Sequence, residues 1–197
     1  CANGQRLLLT VTPANPLYDS GQWVSSTAGN AAFASYLSAL ADRFGSCLAA
    51  IEVGNELNGS GTLVYPAGVT RPAAYVATLA AVHARIGGRT AILGGSTNMI
   101  GTGFLKTLFA LGMLDEVDGI AVHPYRSRAE GLDVELAQLN AAMDAAGRRV
   151  PIWASEFSLD TRNQPVAAGE LIKQATMLAA GGAAQASWYA LIDQRWY

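Results

Sequence analysis

CLAAIEVGNE, residues 47–56, is a short apolar run that ends in two polar side chains. Residues 70–86 follow it with apolar side chains three and four positions apart, and Gly87 and Gly88 come directly after them. The first pattern predicts a β-strand, and the second predicts an amphipathic helix that ends at the two glycines. Together they predict one strand–helix unit of an α/β fold.

The same strand–helix unit recurs along the chain, which gives six predicted strands. Strands joined by helices in this way run parallel to one another, because each helix carries the chain back to the start of the sheet. The remaining strands are predicted at residues 6–13, 90–95, 119–125, 150–157 and 186–193, and the remaining helices at residues 27–44, 102–111, 132–146 and 165–180.

The alternation of side chains within the strands favours a (β/α)8 barrel over an open sheet. In residues 47–56 and 119–125, small or polar side chains alternate with bulky apolar ones. A crowded barrel interior surrounded by helices needs this pattern, whereas an open doubly wound sheet needs two apolar faces. Counting back from Glu156 by twos puts Ile152 on the same face as Glu156 and Trp153 on the opposite face. The predicted fold class is therefore α/β, of the (β/α)8 type.

The strand count predicts an incomplete barrel. A closed barrel of this type has eight strands, and the sequence contains patterns for six. The chain begins just before a strand and ends soon after another. We therefore expect that two strand–helix units and the last helix are missing, or that a second copy or a complementing chain covers the open edges. Residues 1–197 are predicted to form a single, partial catalytic domain.

Composition and charge narrow the classes of partner. Hydrophobic residues make up 51% of the chain, but no apolar run reaches the roughly 18 to 20 residues of a membrane helix. The net charge is −2 and basic residues form no broad stripe, so neither a membrane nor a nucleic acid is an expected partner. Cys1 and Cys47 suggest neither a disulfide framework nor a metal site. No signal peptide, metal or other cofactor is predicted.

Polar side chains collect where the predicted strands end, which is the edge at which barrel enzymes have their active sites. Glu56 and Glu156 end two of the strands, and His123 and Tyr125 end a third. Glycoside hydrolysis needs two carboxyl groups on either side of the scissile bond. Because a barrel brings its strand ends around one opening, Glu56 and Glu156 are the candidate pair.

Four motifs, in order, resemble those of the clan A glycoside hydrolases. Residues 51–58 (IEVGNELN) resemble the fourth-strand Asn-Glu motif, and residues 152–157 (IWASEF) resemble the seventh-strand nucleophile motif. Residues 123–125 (HPY) resemble the end of the sixth strand, and residues 187–189 (SWY) resemble the eighth-strand aromatic motif. Residues 15–19 (NPLYD) look closest to members near families 39 and 5. The six strands would then be strands 3 to 8.

The resemblance implies a retaining mechanism and a role for each site residue. Glu156 would attack the anomeric carbon, and Glu56 would act as the general acid and then as the base. Asn55 would bind the sugar 2-hydroxyl, Tyr125 would hold the nucleophile, and His123 would line the pocket.

The resemblance also implies that Trp188 offers its ring face to a sugar and that Asn15 contacts the substrate. The expected partner is an oligosaccharide, a polysaccharide or a small glycoside. A secreted or periplasmic location is implied by the resemblance alone.

Two other functions remain open at this point. His123, Glu56 and Glu156 could be the ligands of a metal-dependent barrel enzyme, since they form a mixed nitrogen and oxygen set. An incomplete barrel could also be a non-catalytic carbohydrate-binding or assembly protein. Glu52 points to the same face as Glu56 but about 13 Å deeper, at roughly 3.3 Å per residue, and is interpreted as a paired interior carboxylate.

Overall fold

The computed structural model describes residues 3–59, 65, 67–159 and 164–190, and within them six parallel strands alternate with five helices. Each strand pairs with the next one along the chain, so the sheet order follows the sequence order. The sheet curls into a partial barrel, which confirms the predicted fold class. The strands are β1 (Leu7–Val11), β2 (Leu48–Val53), β3 (Ala91–Asn98), β4 (Gly119–His123), β5 (Ile152–Phe157) and β6 (Ala183–Trp188). The helices are α1 (Thr27–Phe44), α2 (Arg71–Ile86), α3 (Thr102–Ala110), α4 (Leu132–Ala145) and α5 (Gln164–Ala180).

Local signals explain where the helices begin and end. The Ser26 hydroxyl accepts the Gly29 N–H at the start of α1, which satisfies one of the unpaired donors of the first turn. Gly45, with φ 52°, ends the same helix. Pro72 lies in the first turn of α2, where its missing N–H costs nothing.

The sheet separates two apolar layers of different size. On the helix side, Ile51 and Val53 of β2 and Ile120 and Val122 of β4 pack into the main core with the helices. On the inner side, a small cluster is formed by the buried side chains of Ala50, Leu93 and Ala121, with Leu8, Ala91 and Trp153 against them. The predicted alternation in β2 and β4 is therefore confirmed.

The predicted alternation in β5 is wrong. Ile152 and Ala154 pack into the helix-side core, and Trp153 lies in the inner cluster beside Ala121. Glu156 nevertheless faces inward with His123, because three steps along β5 from Ala154 to Phe157 match two along β6. Such a bulge changes the face of every residue beyond it.

Several strand boundaries also differ from the prediction, and β2 ends at Val53, so that Glu56 lies in the turn after it and not at its end. β3 continues to Asn98 because Gly95 and Ser96, both with positive φ, form a bulge that lets pairing with β4 resume at Thr97. β6 begins at Ala183, three residues earlier than predicted. The predicted end of that strand, residues 191–193, lies outside the described residues.

Two further findings concern membrane-spanning helices and the bonding of Cys47. In the described part of the chain, no helix has the length and apolar character to cross a bilayer. Cys47, just before β2, is disulfide-bonded, which corrects the expectation from the cysteine count. Sequence spacing could not reveal this bond, because a disulfide depends on the distance between the two residues in space.

Candidate active site

The ends of β2, β4 and β5 bring four of the predicted site residues together. Nδ1 of His123 lies 3.5 Å from Oε1 of Glu56 and 3.9 Å from Oε2 of Glu156. The phenolic O–H of Tyr125 donates to the same Glu156 oxygen at 2.6 Å. The Glu56 and Glu156 side chains are 34% and 27% exposed, whereas His123 is fully buried. The site therefore has two accessible carboxylates above one enclosed imidazole.

The backbone of Glu56 is held in a conformation that is uncommon for glutamate. Its φ is 48°, in the left-handed region, and it begins a tight turn in which the Gly59 N–H donates to its carbonyl at 2.9 Å. The Leu57 N–H donates to the carbonyl of Ser96 at 3.0 Å, which ties the turn to β3. Such conformations cost about 1 to 3 kcal/mol and persist only where neighbouring structure fixes them.

Two side chains brace this turn from outside. The Arg71 guanidinium, at the start of α2, donates to the carbonyls of Leu57, at 2.8 Å, and of Gly59. The Asn58 amide makes two hydrogen bonds with the backbone of Asn98, one to its carbonyl at 2.9 Å and one from its N–H at 2.8 Å. These contacts fix the position from which the Glu56 carboxyl group extends.

Beneath the carboxylates, His123 contacts a third, buried carboxyl group. Nε2 of His123 is 3.1 Å from Oε1 of Glu52, and neither side chain is exposed. The other oxygen of Glu52 accepts the Thr10 hydroxyl at 3.1 Å. This arrangement agrees with the interpretation of Glu52 as a paired interior carboxylate.

The surroundings of His123 favour its charged form. Burial alone would lower the pKa of the imidazole, but the carboxylates of Glu52, Glu156 and Glu56 outweigh it and raise the pKa above its ordinary value. The Glu52 carboxylate raises the pKa of His123 through both a hydrogen bond and its charge.

Aromatic side chains form the wall next to Glu156. Tyr125 meets the ring of Tyr189 edge-on, with 6.4 Å between centroids, and meets the ring of His123 in the same way. Trp188, half-buried at the end of β6, packs edge-on against Phe157 at 5.5 Å. Both rings pack in the helix-side core, so Trp188 faces away from Glu156, contrary to the expectation that its ring faces a sugar.

The remaining predicted residues lie at the rim. Asn55 directly precedes Glu56 and is exposed. Asn15 is also exposed, and its side-chain oxygen accepts the Leu17 N–H at 2.9 Å, closing a local turn in the loop after β1. Among the hydrogen bonds of the described residues, none links Asn15 to the Glu56–Glu156 pair.

Three contributors to the site were not identified in the sequence. Thr10 supports Glu52 from β1, Tyr189 supports Tyr125, and Arg71 braces the turn after Glu56. Strand alternation alone could not identify Thr10. The register of β1 with β2, in which Thr10 pairs with Glu52, is also needed. Nothing in the sequence relates Arg71 to the turn after Glu56, because a long loop separates them.

The alternative of a metal centre gains no support from the arrangement. Among the side chains that the structure describes, no group of three or more His, Cys, Asp or Glu residues is placed to hold a metal ion. His123 directs one ring nitrogen to buried Glu52 and the other to the two accessible carboxylates.

Comparisons with known proteins assign the fold to a class. No protein-family model matches the chain, and no curated protein sequence matches it. Solved structures do match, and they include several glycoside hydrolases of family 39. The chain thus has the partial (β/α)-barrel fold of glycoside hydrolases, which confirms the predicted resemblance in fold.

Three structures illustrate this likeness. A family 39 glycoside hydrolase from Bacteroides cellulosilyticus WH2 matches with a TM-score of 0.73 and 14% identity, over 95% of this chain and 43% of that one. A family 39 β-xylosidase from Caulobacter crescentus matches with a TM-score of 0.62 and 18% identity, over 83% and 38%. An exo-β-1,4-mannosidase from Opitutaceae bacterium strain TAV5 matches with a TM-score of 0.66 and 18% identity, over 96% of this chain and 39% of that one. The chain therefore spans about two fifths of the length of these relatives.

Proposed function

We propose that this chain carries the catalytic centre of a retaining glycosidase, with Glu156 as the nucleophile and Glu56 as the acid/base. The observation that carries the proposal is that carboxylate oxygens from β5 and from the turn after β2 approach one ring nitrogen of His123, at 3.9 and 3.5 Å. The two oxygens are therefore no farther apart than the sum of these distances. That limit includes the separation of roughly 5 to 5.5 Å that a retaining mechanism requires.

The first step forms a covalent intermediate. An oxygen of Glu156 attacks the anomeric carbon while the bond from that carbon to the leaving oxygen breaks. The electron pair of this bond goes to the leaving oxygen, which takes the proton of Glu56. The hydrogen bond from Tyr125 at 2.6 Å orients the attacking carboxylate.

The second step reverses these roles. Glu56, now ionised, takes a proton from water as the water oxygen attacks the anomeric carbon. The ester bond breaks, and Glu156 leaves as a carboxylate. The net result is hydrolysis with retained anomeric configuration, and both glutamates return to their starting states.

The proposed substrate is a β-linked glycoside, either small or at the end of a longer saccharide. The structural relatives described by activity include a β-xylosidase and an exo-β-1,4-mannosidase, which supports this class. Asn55 would bind the 2-hydroxyl of the sugar. Asn15 would contact the substrate from the rim.

We place the proposed enzyme outside the cytosol, in a secreted or periplasmic location. The disulfide at Cys47 supports this, because disulfides persist mainly in oxidising compartments.

The test is covalent labelling with a 2-deoxy-2-fluoro β-glycoside that has a good leaving group. We expect mass spectrometry to find one sugar attached to Glu156, and Glu156→Gln to abolish the labelling. Glu116→Gln is the matched control, since the Glu116 side chain is 30% exposed and pairs with His83 of α2. Sugar binding without labelling or turnover would instead identify a non-catalytic carbohydrate-binding protein.

The role of Glu56 has its own test. Glu56→Ala should slow the hydrolysis of glycosides with poor leaving groups far more than of those with good ones, because only the former need the proton. Added azide should restore turnover and give a β-glycosyl azide. Equal losses for both kinds of leaving group would exclude Glu56 as the acid.

A further inference from the structure

His123 is placed so that both of its ring nitrogens face carboxylate oxygens. Nε2 lies 3.1 Å from Glu52, and Nδ1 lies 3.5 Å from Glu56 and 3.9 Å from Glu156. The ring and Glu52 are both fully buried, so water cannot substitute for either partner. An ionised carboxylate only accepts hydrogen bonds, and a neutral imidazole has just one N–H. Facing carboxylates on both sides, the ring is best satisfied with a proton on each nitrogen.

The proposed reaction moves negative charge between the two accessible carboxylates. Before the first step Glu156 is ionised and Glu56 carries the proton; in the glycosyl-enzyme Glu156 is an ester and Glu56 is ionised. The Nδ1 atom of His123 lies close to both, at 3.9 and 3.5 Å. A single N–H at this position can therefore stabilise whichever carboxylate is charged.

We propose that Glu52 is a positioning residue, which holds His123 as a doubly protonated ring shared by the nucleophile and the acid/base. This inference rests on the proposed glycosidase function for its catalytic consequence, but not for the charge of the ring. Glu52 acts only through His123. The Thr10 hydroxyl, which donates to the second Glu52 oxygen, keeps the carboxylate oriented toward the ring.

The groups around the ring account for the expected pH behaviour. The raised pKa of His123 agrees with the geometry, although burial opposes it. Charged or titratable side chains face the ring from β2, from the turn after β2, from β5 and from the segment after β4: they are Glu52, Glu56, Glu156 and Tyr125.

Nuclear magnetic resonance of the ring nitrogens tests the charge directly. The chain has two histidines, so the signals of the His123 ring need to be distinguished only from those of His83. We expect His123 to show two protonated ring nitrogens at a pH well above the ordinary imidazole pKa of about 6.5. In Glu52→Gln, His123 should become neutral at that pH, whereas Glu52→Asp should retain the charge.

Kinetics tests the consequence for catalysis. We expect Glu52→Gln to lower kcat by roughly 10- to 150-fold, the range for one lost hydrogen bond to a charged group, with little change in KM. The pH profile of kcat should change shape as well, and Glu52→Asp should recover part of the rate. Glu170→Gln is the matched control, because Glu170 is also a buried carboxylate but serves the Ala129 N–H outside the site.

The outcomes separate this inference from the proposed function. A neutral His123 in the unmodified protein at that pH, accepting a hydrogen bond from protonated Glu56, would overturn the inference even if Glu156 is labelled. So would a Glu52→Gln variant with unchanged kcat and pH profile. A third outcome is that Glu156 is not labelled but His123 is doubly protonated only when Glu52 is charged. In that case the proposed function fails, and Glu52 is still the residue that sets the charge of the ring.

Discussion

Removing the hydroxyl of Tyr125 tests the support of the nucleophile most directly. This hydroxyl donates to Oε2 of Glu156 at 2.6 Å, a short hydrogen bond to a charged acceptor. Tyr125→Phe keeps the aromatic ring, and with it the edge-on contacts with His123 and Tyr189 at 6.4 Å. The substitution therefore removes this hydrogen bond and keeps the two edge-on ring contacts.

The size of the effect follows from the charge on the acceptor. Hydrogen bonds to charged groups contribute about 1.5 to 3 kcal/mol, which corresponds to a rate factor of roughly 10 to 150. The bond matters most when Glu156 leaves the sugar as a carboxylate, because negative charge then develops on the oxygen that Tyr125 contacts. We therefore expect the loss to fall mainly on hydrolysis of the glycosyl-enzyme.

Pre-steady-state kinetics with an activated aryl β-glycoside can separate the two steps. Tyr125→Phe should still release a burst of the aryl alcohol, followed by a steady rate that is roughly 10 to 150 times lower than that of the unmodified protein. Tyr36→Phe is the control, since Tyr36 is 54% exposed on α1. A Tyr125→Phe steady rate within twofold of the unmodified protein would refute the reasoning. Equal losses in the burst and the steady rate would show that the ring, and not the charge, had been disturbed.

Three further predictions concern the frame of the site. Tyr75→Phe should lower the free energy of unfolding by about 1 to 3 kcal/mol in urea denaturation, because the buried Gly95 N–H loses its acceptor; no change would mean that the bond is replaced. Arg71→Ala should lower kcat more than it raises KM, because the turn that carries Glu56 loosens; an unchanged kcat would contradict this bracing role. Because folding raises the pKa of His123, its stabilising contribution should be complete below pH 6.5 and disappear as the pH rises through the folded value. Urea titrations across that range should show the decline, and a contribution that grows with pH would be inconsistent with it.

The fold was largely predictable, because its signals are local. The apolar side chains of residues 70–86 recur with the period of a helix, and the observed α2 covers sixteen of these positions. The two glycines that follow mark its end. The order of strands in the sheet followed from the helical connections, which require parallel neighbours. Residues at or just after strand ends, such as His123 and Glu56, could be assigned to one edge for the same reason.

The orientation of Glu156 was less predictable, because it depends on pairing between strands. Simple alternation put Glu156 on the face of Ile152, which packs against the helices. The bulge between Ala154 and Phe157 corrects the orientation, but it is a property of the register with β6 and not of β5 alone. The sequence thus predicted the inward orientation of Glu156 from an incorrect assignment of the faces of β5.

The meeting of the two glutamates depends on the curl of the sheet. β2 and β5 are separated by β3 and β4, and in a flat sheet three strand spacings of about 4.8 Å would hold them roughly 14 Å apart. Yet carboxylate oxygens from both sides lie within 3.9 Å of one nitrogen of His123 on β4. Small side chains on the inner face, such as Ala50 and Ala121, allow this curvature because they leave room for the strands to turn inward. The alternation of small and large side chains that predicted a barrel is therefore also the physical reason that a two-carboxylate site can form.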